Sequence, residues 1–220
     1  LATMDGAVLT SRRTAAAAAL GAQFLSREDS ETLFLVGAGR VATLVPEAMR
    51  SVRPIKNVSI WDLSKEGAER AAKHLQNLGF ITEVELDLQK GTERADIISC
   101  ATLAKEPLIK GEWLKPGQHL DLIGSFTPDM RETDDEAMRI ADVFVDTNTA
   151  LTESGDLVAP LKSGAILAGE IMANLTDLCS GRTHGRVDDQ AITLFKAVGT
   201  ALEDLAGASL AYDKFAQGQV

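Results

Sequence analysis

"LFLVGAGRVA", residues 33–42, decides the fold. Its first four residues are apolar and read as a strand buried on both faces. Gly37, Ala38, Gly39, Arg40 and Val41 then turn the chain tightly into a helix. In a Gly-x-Gly-x-x-Ala turn the first glycine permits the bend. The second leaves backbone bare for a pyrophosphate, and Ala42 lets the helix pack close to the sheet. The helix N-terminus offers free N–H groups to the phosphates, and Arg40 adds a cation. The plain alternative is a strand–helix turn that is merely rich in small residues.

The surroundings weigh on that choice. "NVSIWD" reads as a second strand, followed by the helical stretch "SKEGAERAAKHLQNLG", whose Ala68, Ala71, Ala72 and Leu75 fall at helical spacing. Gly79 is its stop. "ITEVEL", "ADIISCAT", "QHLDLIG" and "ADVFVDT" read as four further strands, the last preceded by the acidic helical stretch "RETDDEAMRI". Strands alternating with helices predict a parallel sheet covered on both faces. After residue 150 the alternation is expected to stop, leaving a mostly helical remainder. Before it, "LTSRRTAAAAALGAQFL" reads as a helix with Thr10 as its N-cap. "SREDSET" is a polar linker.

Asp62 ends the second strand, 23 residues after Gly39. A carboxylate there accepts hydrogen bonds from ribose hydroxyls and repels a 2′-phosphate, which favours NAD(H) over NADP(H). The competing reading is a solvated strand-end acid, or the cap of the next helix, for which Ser64 is the rival. Arg12 and Arg13 precede the alanine run. An arginine fork matches a carboxylate, but from composition alone a surface arginine is the simpler reading.

Composition sets outer limits. The chain has 220 residues, 45% hydrophobic, with a net charge of −10. That supports a full core and argues against a nucleic-acid binder, which needs a basic face. No apolar run approaches the roughly 18 residues of a membrane span. Cys100 and Cys179 give neither a disulfide framework nor a metal spacing, so no metal is expected and a cytoplasmic location is the default. His74, His119 and His184 are scattered, with no nucleophile at a triad spacing. The run "RETDDE" reads as the solvated start of a helix.

Several stretches together resemble the ornithine cyclodeaminase/mu-crystallin family. They are "TSRRTAAAAA", "GAGRVA", "ATLAKEPLIKGEWLKPGQHLDLIGSFTPDMRETDDE", "VFVDT…ESGDL" and "TLFKAVGTALEDLAGASLAYD". Within the family the chain looks most like the ketimine reductases, which reduce Δ1-pyrroline-2-carboxylate and Δ1-piperideine-2-carboxylate to proline and pipecolate. The resemblance implies that Arg13 binds the substrate carboxylate, reversing the surface reading. It implies that Thr14 lies near the cofactor phosphates, that Ala101 and Thr102 run beside the cofactor, and that Val198 and Gly199 approach the nicotinamide. It also implies an α/β fold, a doubly wound Rossmann domain over 29–149 inserted in a second, mostly helical domain. Residues 1–28 and 150–220 are then the incomplete remnant of that substrate and dimerisation domain. With no Met at position 1, a further N-terminal portion is expected, and a homodimer with it.

One departure bears on the reaction. Cyclodeaminases and related alanine dehydrogenases carry an aspartate in the loop after the fifth strand, where this chain has "GSFTPDMRE" with Phe126 in its place. Removing a proton from an amine is helped by a carboxylate. A protonated imine is already electrophilic and needs less. The expectation is therefore an NAD(P)H-dependent reductase of a small imino acid. Ornithine cyclodeamination, alanine-type dehydrogenation and non-catalytic ligand binding are the alternatives. Asp129, three residues on, is a weak candidate to replace the missing acid.

Overall fold

The computed structural model describes residues 2–218; residues 1, 219 and 220, the outer ends of the two flanking segments, lie outside the described residues. Eight strands form one sheet: β1 (Thr32–Val36), β2 (Asn57–Trp61), β3 (Ile81–Val84), β4 (Ile97–Cys100), β5 (His119–Leu122), β6 (Asp142–Val145), β7 (Ala173–Asn174) and β8 (Thr193–Lys196). The order is β3-β2-β1-β4-β5-β8-β6-β7, and every pairing is parallel. The chain leaves β1 toward β2 and β3 on one side and returns to β4 on the other. The winding thus reverses between β1 and β4, where open α/β sheets form their ligand crevice.

The helices are α1 (Gly6–Leu25), α2 (Val45–Arg50), α3 (Lys65–Asn77), α4 (Leu88–Arg94), α5 (Asp135–Ile140), α6 (Ala150–Glu153), α7 (Gly155–Ser163), α8 (Leu175–Cys179) and α9 (Ala201–Ala216). Alternate residues of β1 serve opposite faces, as strand geometry requires. Leu33 and Leu35 join the apolar layer under α1, α2 and α3, whereas Phe34 and Val36 join the layer under α5 and α7. The alanine run explains how α1 lies so near the sheet. Ala18 and Ala22 are fully buried, and a Cβ on Gly21 would stand 2.6 Å from the ring of Phe195 on β8.

Three local expectations are corrected. α1 starts at Gly6, because Asp5 accepts from the N–H groups of Ala7 and Val8; Thr10 is inside the helix. The alternation does not stop at residue 150, since β8 inserts between β5 and β6 in the middle of the sheet. The run "RETDDE" is only partly solvated. Asp134 caps α5 by accepting from Ala137 N–H, but Glu132 and Thr133 are fully buried. Among the described residues no helix is long and apolar enough to cross a membrane.

Candidate active site

A cleft of about 610 Å³ opens at the carboxyl ends of β1, β4, β5 and β8. α1 gives it Thr10, Ser11, Arg13 and Thr14; the glycine turn gives Gly39, Arg40 and Val41. The segment after β4 adds Ala101, Thr102 and Leu103, that after β5 adds Ile123, Gly124 and Phe126, and that after β8 adds Ala197, Val198 and Gly199. Of the residues named from sequence, Arg13, Thr14, Gly39, Arg40, Val41, Ala101, Thr102, Val198 and Gly199 line it. Gly37, Ala38 and Asp62 are not among the residues that line it.

Gly37 has φ +108°, and a Cβ there would lie 2.7 Å from the carbonyl oxygen of Ala101. Both facts demand glycine. A Cβ on Gly39 would meet nothing within 4 Å. The backbone there faces open space, which suits a pyrophosphate. Thr43 N–H donates to Gly39 carbonyl at 3.1 Å, so the helical turn begins at the cleft, though its first full turn is a tight 3-10 one at Ala42–Leu44. Arg40 is exposed at the rim, without a side-chain partner among the described residues.

Asp62 is not the helix cap. Ser64 caps α3 by accepting from Gly67 N–H at 3.1 Å. Asp62 Oδ2 accepts from Ala38 N–H at 2.8 Å, and Oδ1 accepts from Ser64 N–H at 2.8 Å. The carboxylate thus ties the second strand's end to the glycine turn.

Arg12 is exposed and Arg13 is turned inward. Arg13 Nε donates to Asp204 Oδ1 at 2.8 Å, and Nη1 donates to Glu203 Oε2 at 3.1 Å, both on α9. Nη2 has no hydrogen bond among the described residues. The guanidinium lies flat on Gly199 (φ +87°), where any Cβ would collide with it. Sequence reading missed Glu203 and Asp204 as the pair that aims this arginine.

Buried carboxylates hold the cleft's rims. Glu132 Oε1 accepts from Thr102 N–H at 2.7 Å and from Thr102 Oγ1 at 2.8 Å; Oε2 accepts from Gly124 N–H at 2.7 Å. Asp146 Oδ2 accepts from Val198 N–H at 2.7 Å and Gly199 N–H at 2.6 Å. Burial pushes both carboxyls above their ordinary range. Thr102 therefore presents neither its N–H nor its hydroxyl hydrogen to a ligand. Asp146, at the end of the apolar run Val143–Phe144–Val145, carried a sequence signal, since an acid buried there must find a partner; Glu132, set in the polar run 131–136, carried none.

Phe126, half exposed, lines the cleft where the aspartate of related enzymes was expected. Asp129 does not replace it. It accepts from Thr127 Oγ1 at 2.6 Å, pairs with Lys105 at 2.8 Å, and lies outside the cleft lining. Those two partners hold its carboxyl well below the usual range. His119 is buried against Thr193, and burial lowers it to about 3, so it is no proton donor at neutral pH. Among the described residues no cluster of His, Cys, Asp or Glu is arranged to hold a metal.

A family model for ornithine cyclodeaminase/mu-crystallin matches residues 1–219. The chain belongs to this family. It is 40% identical to the Delta(1)-pyrroline-2-carboxylate reductase of Paracoccus denitrificans, over 94% of this chain and 66% of that one. It is 39% identical to the ketimine reductase mu-crystallin of Rattus norvegicus, over 100% and 66%. Among solved structures, the Thermococcus litoralis Delta(1)-pyrroline-2-carboxylate reductase in complex with NADH and L-proline superposes with a TM-score of 0.96 at 36% identity, covering 100% of this chain and 69% of that one. The chain thus spans about two thirds of the length of these relatives.

Proposed function

We propose that the protein is an NAD(P)H-dependent reductase of cyclic imino acids, converting Δ1-pyrroline-2-carboxylate to proline or Δ1-piperideine-2-carboxylate to pipecolate. The observation that carries this is the shared cleft. A glycine turn fit for a pyrophosphate and an inward-facing arginine fit for a carboxylate open into the same space, at the sheet's switch point. The reductase relatives support the reading.

NADH, when bound, supplies a hydride to the imine carbon. The chain's own residues do the rest. Gly39 and the helix behind it receive the phosphates, and Asp62 stands at the strand end where a ribose is met. Thr14, Ala101, Thr102, Val198 and Gly199 form the bed beside it. Arg13 receives the substrate carboxylate through its Nη2 side and so fixes which carbon faces the hydride; this placement is the larger part of the rate gain. The iminium nitrogen already carries its proton, so the hydride step asks for no general acid. Phe126 fits that economy: it lines the cleft with a phenyl ring and offers no base for the reverse deprotonation.

The wider reading follows. The dinucleotide unit is 29–149, with β8 returned to it from 150–220; 1–28 and the rest of 150–220 serve the substrate side. A homodimer belongs to the same proposal, with the exposed Leu202, Leu205, Leu210 and Phe215 of α9 as candidate contacts. A cytoplasmic setting and a place in proline metabolism belong to the same proposal.

Arg13→Ala in the full-length protein tests the carboxylate role. KM for the imino acid is expected to rise by about tenfold or more, the loss of one charge-assisted pair, while NADH affinity stays near wild type. An unchanged KM contradicts the assignment.

A further inference from the structure

Glu132 touches neither open face of the cleft, yet both its oxygens end on the cleft's walls. Oε1 holds Thr102, just past β4, and Oε2 holds Gly124, just past β5. These are neighbouring strands, and their ends are the floor on which a nicotinamide would lie. The two segments also interlock. A Cβ on Gly124 would collide with the carbonyl of Thr102 and with Glu132 itself, so the carboxylate fills the seam between them.

Glu132 is in turn held from below. Its own N–H and that of Thr133 donate to Asp156 Oδ1 on α7, at 2.8 and 3.1 Å. Asp156 Oδ2 faces Lys196 Nζ of β8 at 3.9 Å, and that ammonium donates to Leu122 carbonyl at 3.1 Å. Glu132, Asp156 and Lys196 are all fully buried. A lysine is expensive to bury, and here it faces Asp156, the carboxylate that holds the Glu132 backbone, at the end of β8.

We propose that Glu132 is the positioning residue of the nicotinamide bed, its two oxygens clamping Thr102 to Gly124, with Asp156 and its partner Lys196 holding the clamp from below. The proposal rests on the reading of the cleft as the nicotinamide site. The groups facing Glu132 are Lys196 from β8, Asp156 from α7, Arg131 beside it in the loop, Asp121 from β5 and Cys100 from β4. Burial raises the carboxyls of Glu132 and Asp156, and the charge of Lys196 opposes that rise. Without Lys196, Arg131 is the nearest remaining cation, 3.7 Å from Asp156. Protonation of Glu132 then converts one of the two oxygens that Thr102 and Gly124 use as acceptors into a hydroxyl.

Amide hydrogen exchange on the unaltered full-length protein reads the clamp directly, before any cofactor is added. Thr102 and Gly124 are expected to exchange at least about a hundredfold more slowly than unprotected loop amides. Exchange at open-loop rates overturns the proposal, whatever the reaction proves to be. In Glu132→Gln an amide NH2 replaces one acceptor. Both amides are expected to exchange faster and NADH, titrated by its fluorescence, to bind at least about tenfold more weakly. Faster exchange or a lower Tm with unchanged NADH affinity marks a purely structural role and refutes the positioning claim. Lys196→Met leaves every acceptor in place. Its NADH affinity is expected to be weaker than wild type at low pH and to recover as pH rises, because deprotonating the raised carboxyls restores the acceptors. Affinity independent of pH refutes the role given to Lys196. A clamp confirmed by exchange in a protein that never reduces imino acids would retire the proposed reaction and leave the clamp standing.

Discussion

Asp62 links two facts that are usually read apart. It stands where the proposed reading puts the ribose, and it also fastens Ala38 N–H, at 2.8 Å, in the glycine turn. Replacing it therefore affects both charge and turn geometry. Asp62→Ser is expected to shift kcat/KM toward NADPH by about tenfold relative to NADH, with a general loss for both cofactors from the loosened turn. Steady-state kinetics with each cofactor check this; an unaltered NADH-to-NADPH ratio removes Asp62 as the discriminating group. The glycine turn and this acid were legible in the sequence because both depend on local spacing. The partners of Arg13 were not. Glu203 and Asp204 lie 190 and 191 residues away, and nothing in a linear reading ties an α1 arginine to an α9 cap turn.

At the scale of elements, the strands with long apolar runs announced themselves, and β8 did not. Its four residues, Thr193–Lys196, contain a lysine, and a central strand buried on both faces is expected to be apolar. Lys196 is tolerated because Asp156 lies under it. Glu132 was mistaken for solvated helix start for the same reason: its neighbours Asp134 and Asp135 are what they look like, and its own burial is decided by strands elsewhere in the sheet. β5 carries a third such residue. Asp121 is fully buried, accepts from Ser99 Oγ at 2.6 Å, and leaves Oδ1 without a partner. Burial raises it to about 7. The folded state then keeps a proton that the unfolded chain has released above its ordinary range, so stability falls as pH rises from about 4 to about 7. Asp121→Asn imitates the protonated form. It is expected to flatten that slope, by up to about 1.4 kcal/mol per pH unit, and to hold or raise the Tm at pH 7. Denaturation curves at pH 5 and pH 7 check this; equal slopes in both proteins mean that Asp121 is ionised when folded.

Across the whole molecule, one sheet gathers residues from both ends of the chain into a single cleft. α1 brings Arg13 and Thr14, β8 brings Val198 and Gly199, and the glycine turn lies between them at the switch point. Phe126 lines that cleft with a phenyl ring, and the proposed reading takes this as the mark of imine reduction over amine oxidation. The most direct test is turnover by the full-length protein given NADH and Δ1-pyrroline-2-carboxylate, following NADH absorbance and proline together. One proline is expected for each NADH oxidised, with no ammonia released from ornithine. No NADH loss with the imino acid, or ammonia from ornithine without net change in NADH, would contradict the proposed reaction.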